Sequence, residues 1–307
     1  DLWPLAFGRF LPKYYEFTNT RIAESIRAAD AHMQPARIGF AAAPLEGFNR
    51  NRRETGGGLV DPTMTVMRVN AAAANQPLAL VVDFTAHPTI MGARSFDISG
   101  EFPGAMSRSL ESRMPVGAEA LFFNGAQGDQ TTSGDFGSGW ARVDAYGKAL
   151  ADKAWELADK VKVTGSIRLA VSNLMWTLPK YRMSPAFIES TGQEYKLTPE
   201  QAAALASKLF PRKVQLQAVR VGDAVFMAVP GEAIAELGLE MKKNAAGFGA
   251  RYPMIVDLAN EGIGYILSPE QYRLGSYESG TSFYGPQLGA ILVSQMKETV
   301  RPLFKGR

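Results

Sequence analysis

The run LALVVDFTAHPTIMG, residues 78–92, is apolar and rich in Val and Leu until it breaks into a polar turn that carries His87. Flanked by Pro77 and Pro88, and too short for a typical helix, it reads as a strand covered on both faces. The carboxyl end of such a strand is where α/β proteins place ligand-handling groups, so His87 is either a satisfied turn residue or a reactive one. The chain contains no cysteine, which excludes disulfides and thiolate chemistry. Any nucleophile must therefore be a hydroxyl or an activated water, and any metal must be held by imidazole, carboxylate or phenolate.

The same design recurs along the chain. AEALFFNGAQGDQTTSG (118–134) runs from an apolar piece into a glycine-rich turn with Gly128, Asp129 and Thr131. Its backbone N–H groups are placed to converge on an anion or oxyanion, or the turn is simply tight. VQLQAVRVGDAVFMAVPGE (214–232) reads as a hairpin through Gly222 and Asp223 that delivers Glu232 to the N-terminus of the helix AIAELGLEMKKN. A carboxylate there is stabilised by the helix dipole. PMIVDLANEGIGYILSPEQY (253–272) is again strand then turn, and brings Asn260, Gly262, Gly264 and Tyr265.

Around these groups the periodicity predicts a scaffold. A helix is expected over 20–32 behind a Thr18-Asn19-Thr20 cap, with His32 structural at its C-terminal end. A strand follows at 36–44, then a polar loop at 47–63 containing Gly56, Gly57 and Gly58, then neighbouring strands at 64–69 and 78–84. Helices are expected from Phe102 to about Met114, from Val143 to Val161, after the cap Thr198-Pro199-Glu200, and at the C-terminal end; a strand is expected at 167–178. The sum is α/β: mixed β-sheets flanked by helices in a single compact domain over 1–307. With 307 residues and 46% hydrophobic composition the chain can bury a substantial core, and no apolar run reaches the roughly 18 residues that cross a bilayer. The net charge of +3 comes from Lys and Arg scattered among Asp and Glu, so nucleic acid is not the expected partner.

Taken in order, HPTIM, NGAQGDQTT, PGEAIAELG, NEGIGYILSPEQY and YESGTSFYGP resemble the motif series of the neutral, non-lysosomal ceramidases, zinc amidohydrolases that cleave the amide of an N-acylsphingosine. QPARIGF, FNRNR and DPTMTV resemble the corresponding family stretches, so the likeness spans nearly the whole chain. It implies Zn2+ held by His87, Glu232 and Tyr265, and Tyr277 beside the scissile amide. It places Arg50 facing the active site, with Asn49 before it, and puts Asn49, Gly128 and Asp129 at the substrate wall. The implied partner is a small-molecule or lipid N-acyl substrate, and the implied location is secreted or periplasmic. Scattered aromatics allow peripheral membrane contact.

The chain departs from the family in three places. The threonine- and histidine-rich motif that supplies a further zinc histidine is not in it, and is expected in an upstream segment of the same precursor. The immunoglobulin-like C-terminal domain is also not in it. Thr131 replaces a serine in the turn GDQTT, where its hydroxyl is either a pocket wall or a nucleophile, with Asp129 holding the turn. Two other readings stay open: a hydroxyl-nucleophile hydrolase using Thr131 with His87 as base, and a fold kept for binding without chemistry.

Overall fold

The computed structural model describes residues 9–53, 58–190, 192 and 196–305; the aromatic start and most of the glycine run at Gly56 to Gly58 lie outside them. The elements, in order, are α1 (Pro12–Ala31), β1 (Ala36–Pro44), β2 (Asn49–Asn51), β3 (Thr63–Ala71), β4 (Pro77–Phe84), α2 (Glu101–Glu111), β5 (Glu119–Asn124), β6 (Gln130–Thr132), α3 (Gly139–Ala158) and β7 (Leu169–Thr177). There follow α4 (Ala186–Glu189), α5 (Pro199–Leu209), β8 (Lys213–Val221), β9 (Ala224–Ala228), β10 (Glu232–Ala233), α6 (Ala235–Gly247), β11 (Tyr252–Val256), β12 (Tyr265–Ile266), α7 (Pro269–Arg273), α8 (Ser276–Gly280) and α9 (Leu288–Val300).

The chain uses one plan twice. In the first half β1, β3 and β4 run antiparallel, and a crossover through α2 adds β5 parallel to β4. In the second half β7, β8 and β9 run antiparallel, and a crossover through α6 adds β11 parallel to β9. The β8–β9 connection is the Gly222–Asp223 hairpin, with Gly222 at φ +61, a conformation that favours glycine. Two small pairs complete the framework: β2 with β6, antiparallel, and β10 with β12, parallel.

Each sheet has its own core. Phe84, Phe102, Met106, Tyr146 and Leu150 pack α2 and α3 onto the first. Leu216, Met227, Leu237, Met241 and Leu292 pack α6 and α9 onto the second. Full burial of one such side chain contributes about 1.5–3 kcal/mol. The two sheets meet where β11 packs near β1, β4 and β5.

An ion cluster joins the halves. Lys242 on α6 reaches the first sheet, 2.6 Å from Asp61 Oδ2 and 3.9 Å from Asp83 Oδ1, with all three residues buried. Neither Asp83 oxygen has a hydrogen-bond partner among the described residues. Burial pushes Asp83 up to about 7; Lys242 opposes the shift and Asp61 adds to it.

Two sequence expectations are corrected. The first helix begins at Pro12, not Thr20, because proline is preorganised for the first helical position. None of its residues is buried, and Ile22 and Ile26, whose spacing suggested an inner face, are exposed. His32 does end this helix, with Nδ1 2.7 Å from Ala28 O. Glu232, secondly, is not at a helix N-terminus: it lies in β10, and α6 begins at Ala235. The Thr198 cap of α5 is as expected, and Gln201 completes a capping box.

Candidate active site

His87 lies three residues beyond β4, joined by a parallel bridge to Thr131, and its backbone N–H donates to Gln130 O at 3.1 Å. The imidazole Nδ1 is 2.7 Å from Gln127 O and 3.1 Å from Gln130 O. Carbonyl oxygens only accept, so Nδ1 carries the proton and Nε2 presents its lone pair. That Nε2 is 2.7 Å from Glu232 Oε2 and 3.2 Å from the Tyr265 hydroxyl. Glu232 and Tyr265 are themselves register partners across β10 and β12. Sheet pairing therefore sets them side by side, and the structure brings together the three residues that the resemblance names as ligands.

The arginine at this cluster is Arg52. Its Nη2 donates to the Tyr265 hydroxyl at 2.8 Å and to Gly128 O at 3.0 Å, while Nε donates to Glu278 Oε1 at 2.9 Å. Arg53 holds the other oxygen of Glu278 at 2.6 Å. Burial drives the Tyr265 phenol above its usual range, Glu232 adds to the shift, and Arg52 opposes it. Arg50 is exposed at the centre of β2, opposite Thr131, and has no place in the cluster. The strand stops at Asn51, and the bend that follows turns Arg52 inward, where continued alternation would have left it on the exposed face with Arg50. Tyr277 stands over the site on α8, its ring edge-on to Tyr265 with centroids 5.8 Å apart.

The residues assigned to the substrate wall act differently. Asn49 is buried, and its Nδ2 donates to Asp61 O at 2.9 Å and Thr85 O at 2.8 Å, so it fastens β2 to the fold. Asp129 is buried with both oxygens engaged. Oδ1 accepts from Ala235 N at 2.8 Å and Gln130 Nε2 at 2.9 Å, and Oδ2 accepts from Asn51 Nδ2 at 2.7 Å. It therefore caps α6 from another segment, as well as holding its own turn. Gly128 N donates to Ala233 O at 2.8 Å, so this N–H is not available to an oxyanion. A Cβ at Gly128 would lie 2.7 Å from Glu232 O, which makes glycine necessary there. Thr131 is half-buried beside His87, but both imidazole nitrogens point to other partners, which disfavours its activation by His87.

Glu101 carries no sequence signal for its role. Its carboxylate accepts from Ile90 N, Met91 N (3.1 Å) and Phe102 N (2.7 Å), and so clamps the turn that follows His87.

Whether these residues suit a metal is decided by the donor chemistry. Nε2 and a carboxylate oxygen 2.7 Å apart are both acceptors, so a proton or a cation must lie between them. Imidazole nitrogen, carboxylate and phenol oxygen are a donor set that zinc accepts, and the Nδ1 contact to Gln127 O is the outer support usual for a ligating histidine. Among the described residues no three His, Cys, Asp or Glu side chains are grouped so that they could hold a metal ion; the third donor here is the phenol. Glu232, Tyr265 and Tyr277 also line a cavity of ≈ 270 Å³, walled by Leu205 and Leu209 of α5 with Phe187, Phe210 and Phe283.

Comparison with known proteins agrees with this architecture. The crystal structure of neutral ceramidase from Pseudomonas aeruginosa superposes with a TM-score of 0.76 at 19% identity, covering 92% of this chain and 55% of that one. A ceramidase complexed with C2 gives 0.74 at 18% identity over 90% of this chain and 54% of its own. In sequence, the neutral ceramidase of Drosophila pseudoobscura pseudoobscura is 26% identical over 101 residues, 31% of this chain and 14% of the relative. No family model matches. The chain thus has the fold of these neutral ceramidase structures and spans about half their length. Among the described residues no helix is long and apolar enough to cross a membrane.

Proposed function

We propose that this chain carries the reactive centre of a zinc-dependent amidohydrolase that cleaves the amide of ceramide or a related N-acyl lipid. The observation that carries the proposal is the meeting of His87 Nε2, Glu232 Oε2 and the Tyr265 hydroxyl within 2.7–3.2 Å, with Glu232 and Tyr265 lining a largely apolar cavity. His87, Glu232 and Tyr265 would hold the zinc, which would supply Lewis acidity at the scissile carbonyl and generate a nucleophile from water. Gln127 O keeps the proton on Nδ1 and leaves Nε2 as a donor atom. Arg52 donates to the Tyr265 oxygen and opposes the upward shift that burial and Glu232 impose on the phenol. Tyr277 stands in the cavity lining, in position to hold the amide or pass a proton to the departing amine. The apolar walls from α5 suit hydrocarbon, which is the support for a lipid substrate.

The test is metal content of the natively purified protein together with turnover of an N-acylsphingosine before and after chelation. About one zinc per chain, loss of turnover on chelation and recovery with Zn2+ are expected. Turnover indifferent to chelator would overturn the mechanism, and a metal-free, inactive protein that retains any segment upstream of Asp1 would overturn the proposal.

A further inference from the structure

Asp257 directly follows β11 and belongs to neither segment that supplies His87 or Glu232, yet it grips both. Its Oδ2 accepts the backbone N–H of Gln127 at 3.1 Å and that of Ala233 at 3.1 Å. Gln127 is the residue whose carbonyl takes the Nδ1–H of His87, and Ala233 is the immediate neighbour of Glu232. These contacts close a ring: from His87 through Gln127 to Asp257, from Asp257 through Ala233 to Glu232, and from Glu232 Oε2 back to His87 Nε2.

The backbone that presents Asp257 is itself fixed. Its N–H donates to Asn124 O at 3.0 Å, and the next two residues donate to Gly231 O and Val229 O. Leu258 is held at φ +54, a conformation that non-glycine residues adopt at a cost and keep only where surrounding contacts impose it. The side chain is buried and does not reach a substrate.

We infer that Asp257 is a positioning residue: one carboxylate oxygen, through two backbone amides, sets the separation and orientation of His87 and Glu232. The bridge stands on geometry alone, and only its catalytic consequence rests on the function proposed above. Truncation to Ala leaves two buried N–H groups without an acceptor, whereas Asn can offer its amide oxygen to both.

The 307 residues contain two histidines, and loss of one ring system from the imidazole 15N spectrum in His87→Gln assigns His87, with a His32→Gln background used for the variants. In that background Asp257→Ala should speed exchange of the His87 Nδ1 proton about tenfold or more and shift its resonance, and Asp257→Asn should restore both. Leu150→Ala, a cavity in the core of the other half, serves as a control under conditions that match the loss of stability. An unchanged His87 signal in Asp257→Ala, or equal acceleration in Leu150→Ala, would overturn the inference. Co2+ titration of the same proteins reads the consequence: affinity should fall about 10–100-fold in Asp257→Ala and recover in Asp257→Asn. Failure of the unaltered protein to take up Co2+ would count against the zinc centre, and the histidine spectrum would still decide the role of Asp257.

Discussion

Asp83 and His87 leave the same strand four residues apart, and each ends in a buried polar cluster, but the clusters face different things. Around Asp83 lie Asp61 and Lys242, sealed between α6 and the first sheet. Around His87 lie Glu232, Tyr265 and Arg52, with Glu232 and Tyr265 on the wall of an apolar cavity. The sealed cluster ties the halves together. In the cavity-lining cluster, donor atoms face one another and await a proton or a cation. Burial of charge alone therefore does not separate the two clusters; the apolar space beside Glu232 and Tyr265 does, and the proposed function rests on it.

Substitutions can break that contrast. The largest effect is expected for Glu232→Gln, which should abolish turnover by about 10³-fold or more while leaving the melting temperature nearly unchanged; retained turnover with N-acylsphingosine would remove Glu232 from the reaction. Lys242→Met should act in the opposite sense, costing about 3–5 kcal/mol in a denaturant melt because two buried carboxylates lose their cation. A stability unchanged by Lys242→Met would show that the pair does not join the halves.

Arg52→Ala should reduce kcat about 10²-fold by freeing the Tyr265 oxygen, whereas Arg50→Ala, at an exposed site, should change it by no more than about threefold. Equal losses in the two variants would restore Arg50 to the site.

The smallest effect concerns pH. The Asp83 carboxyl is raised from 3.8 to about 7, so between those values the folded chain keeps a proton that the unfolded chain has released. The stability contributed by this group is therefore complete below about pH 4 and is lost as the pH climbs through 7. Asp83→Asn keeps the neutral form at all pH and leaves Lys242 paired with Asp61. It should melt higher than the unaltered protein at pH 8, by on the order of 1–2 kcal/mol, and level with it at pH 4. Parallel melting curves from pH 4 to 8 would show that Asp83 does not titrate in this range.

Much of this was legible in the sequence where signals are local. The strand end with His87, the Gly222 hairpin and the Thr198 cap each declare themselves within a few residues, whereas Tyr265 lies beyond the end of β11 in the separate short strand β12. The groups missed work over distance: Arg52 meets Glu278 across 226 positions, and Asp257 meets Gln127 across 130. No periodicity reports such pairings. Asn49 and Asp129 misled because a polar residue in a loop looks the same whether it points to solvent or ties down backbone. Pro12 was a visible start signal, but α1 buries no face, so its apolar spacing had no core to report.

The register pairing of Glu232 with Tyr265, and their contact with His87 across 145 and 178 positions, also bear on how the molecule assembles. Each half can form its own antiparallel strands from neighbouring sequence, but the donor cluster exists only after both halves have folded and docked. Contacts of such high sequence separation form late and slowly. Capture of a cation at His87, Glu232 and Tyr265 would therefore mark completion of folding, so a partly folded chain would carry no misplaced reactivity.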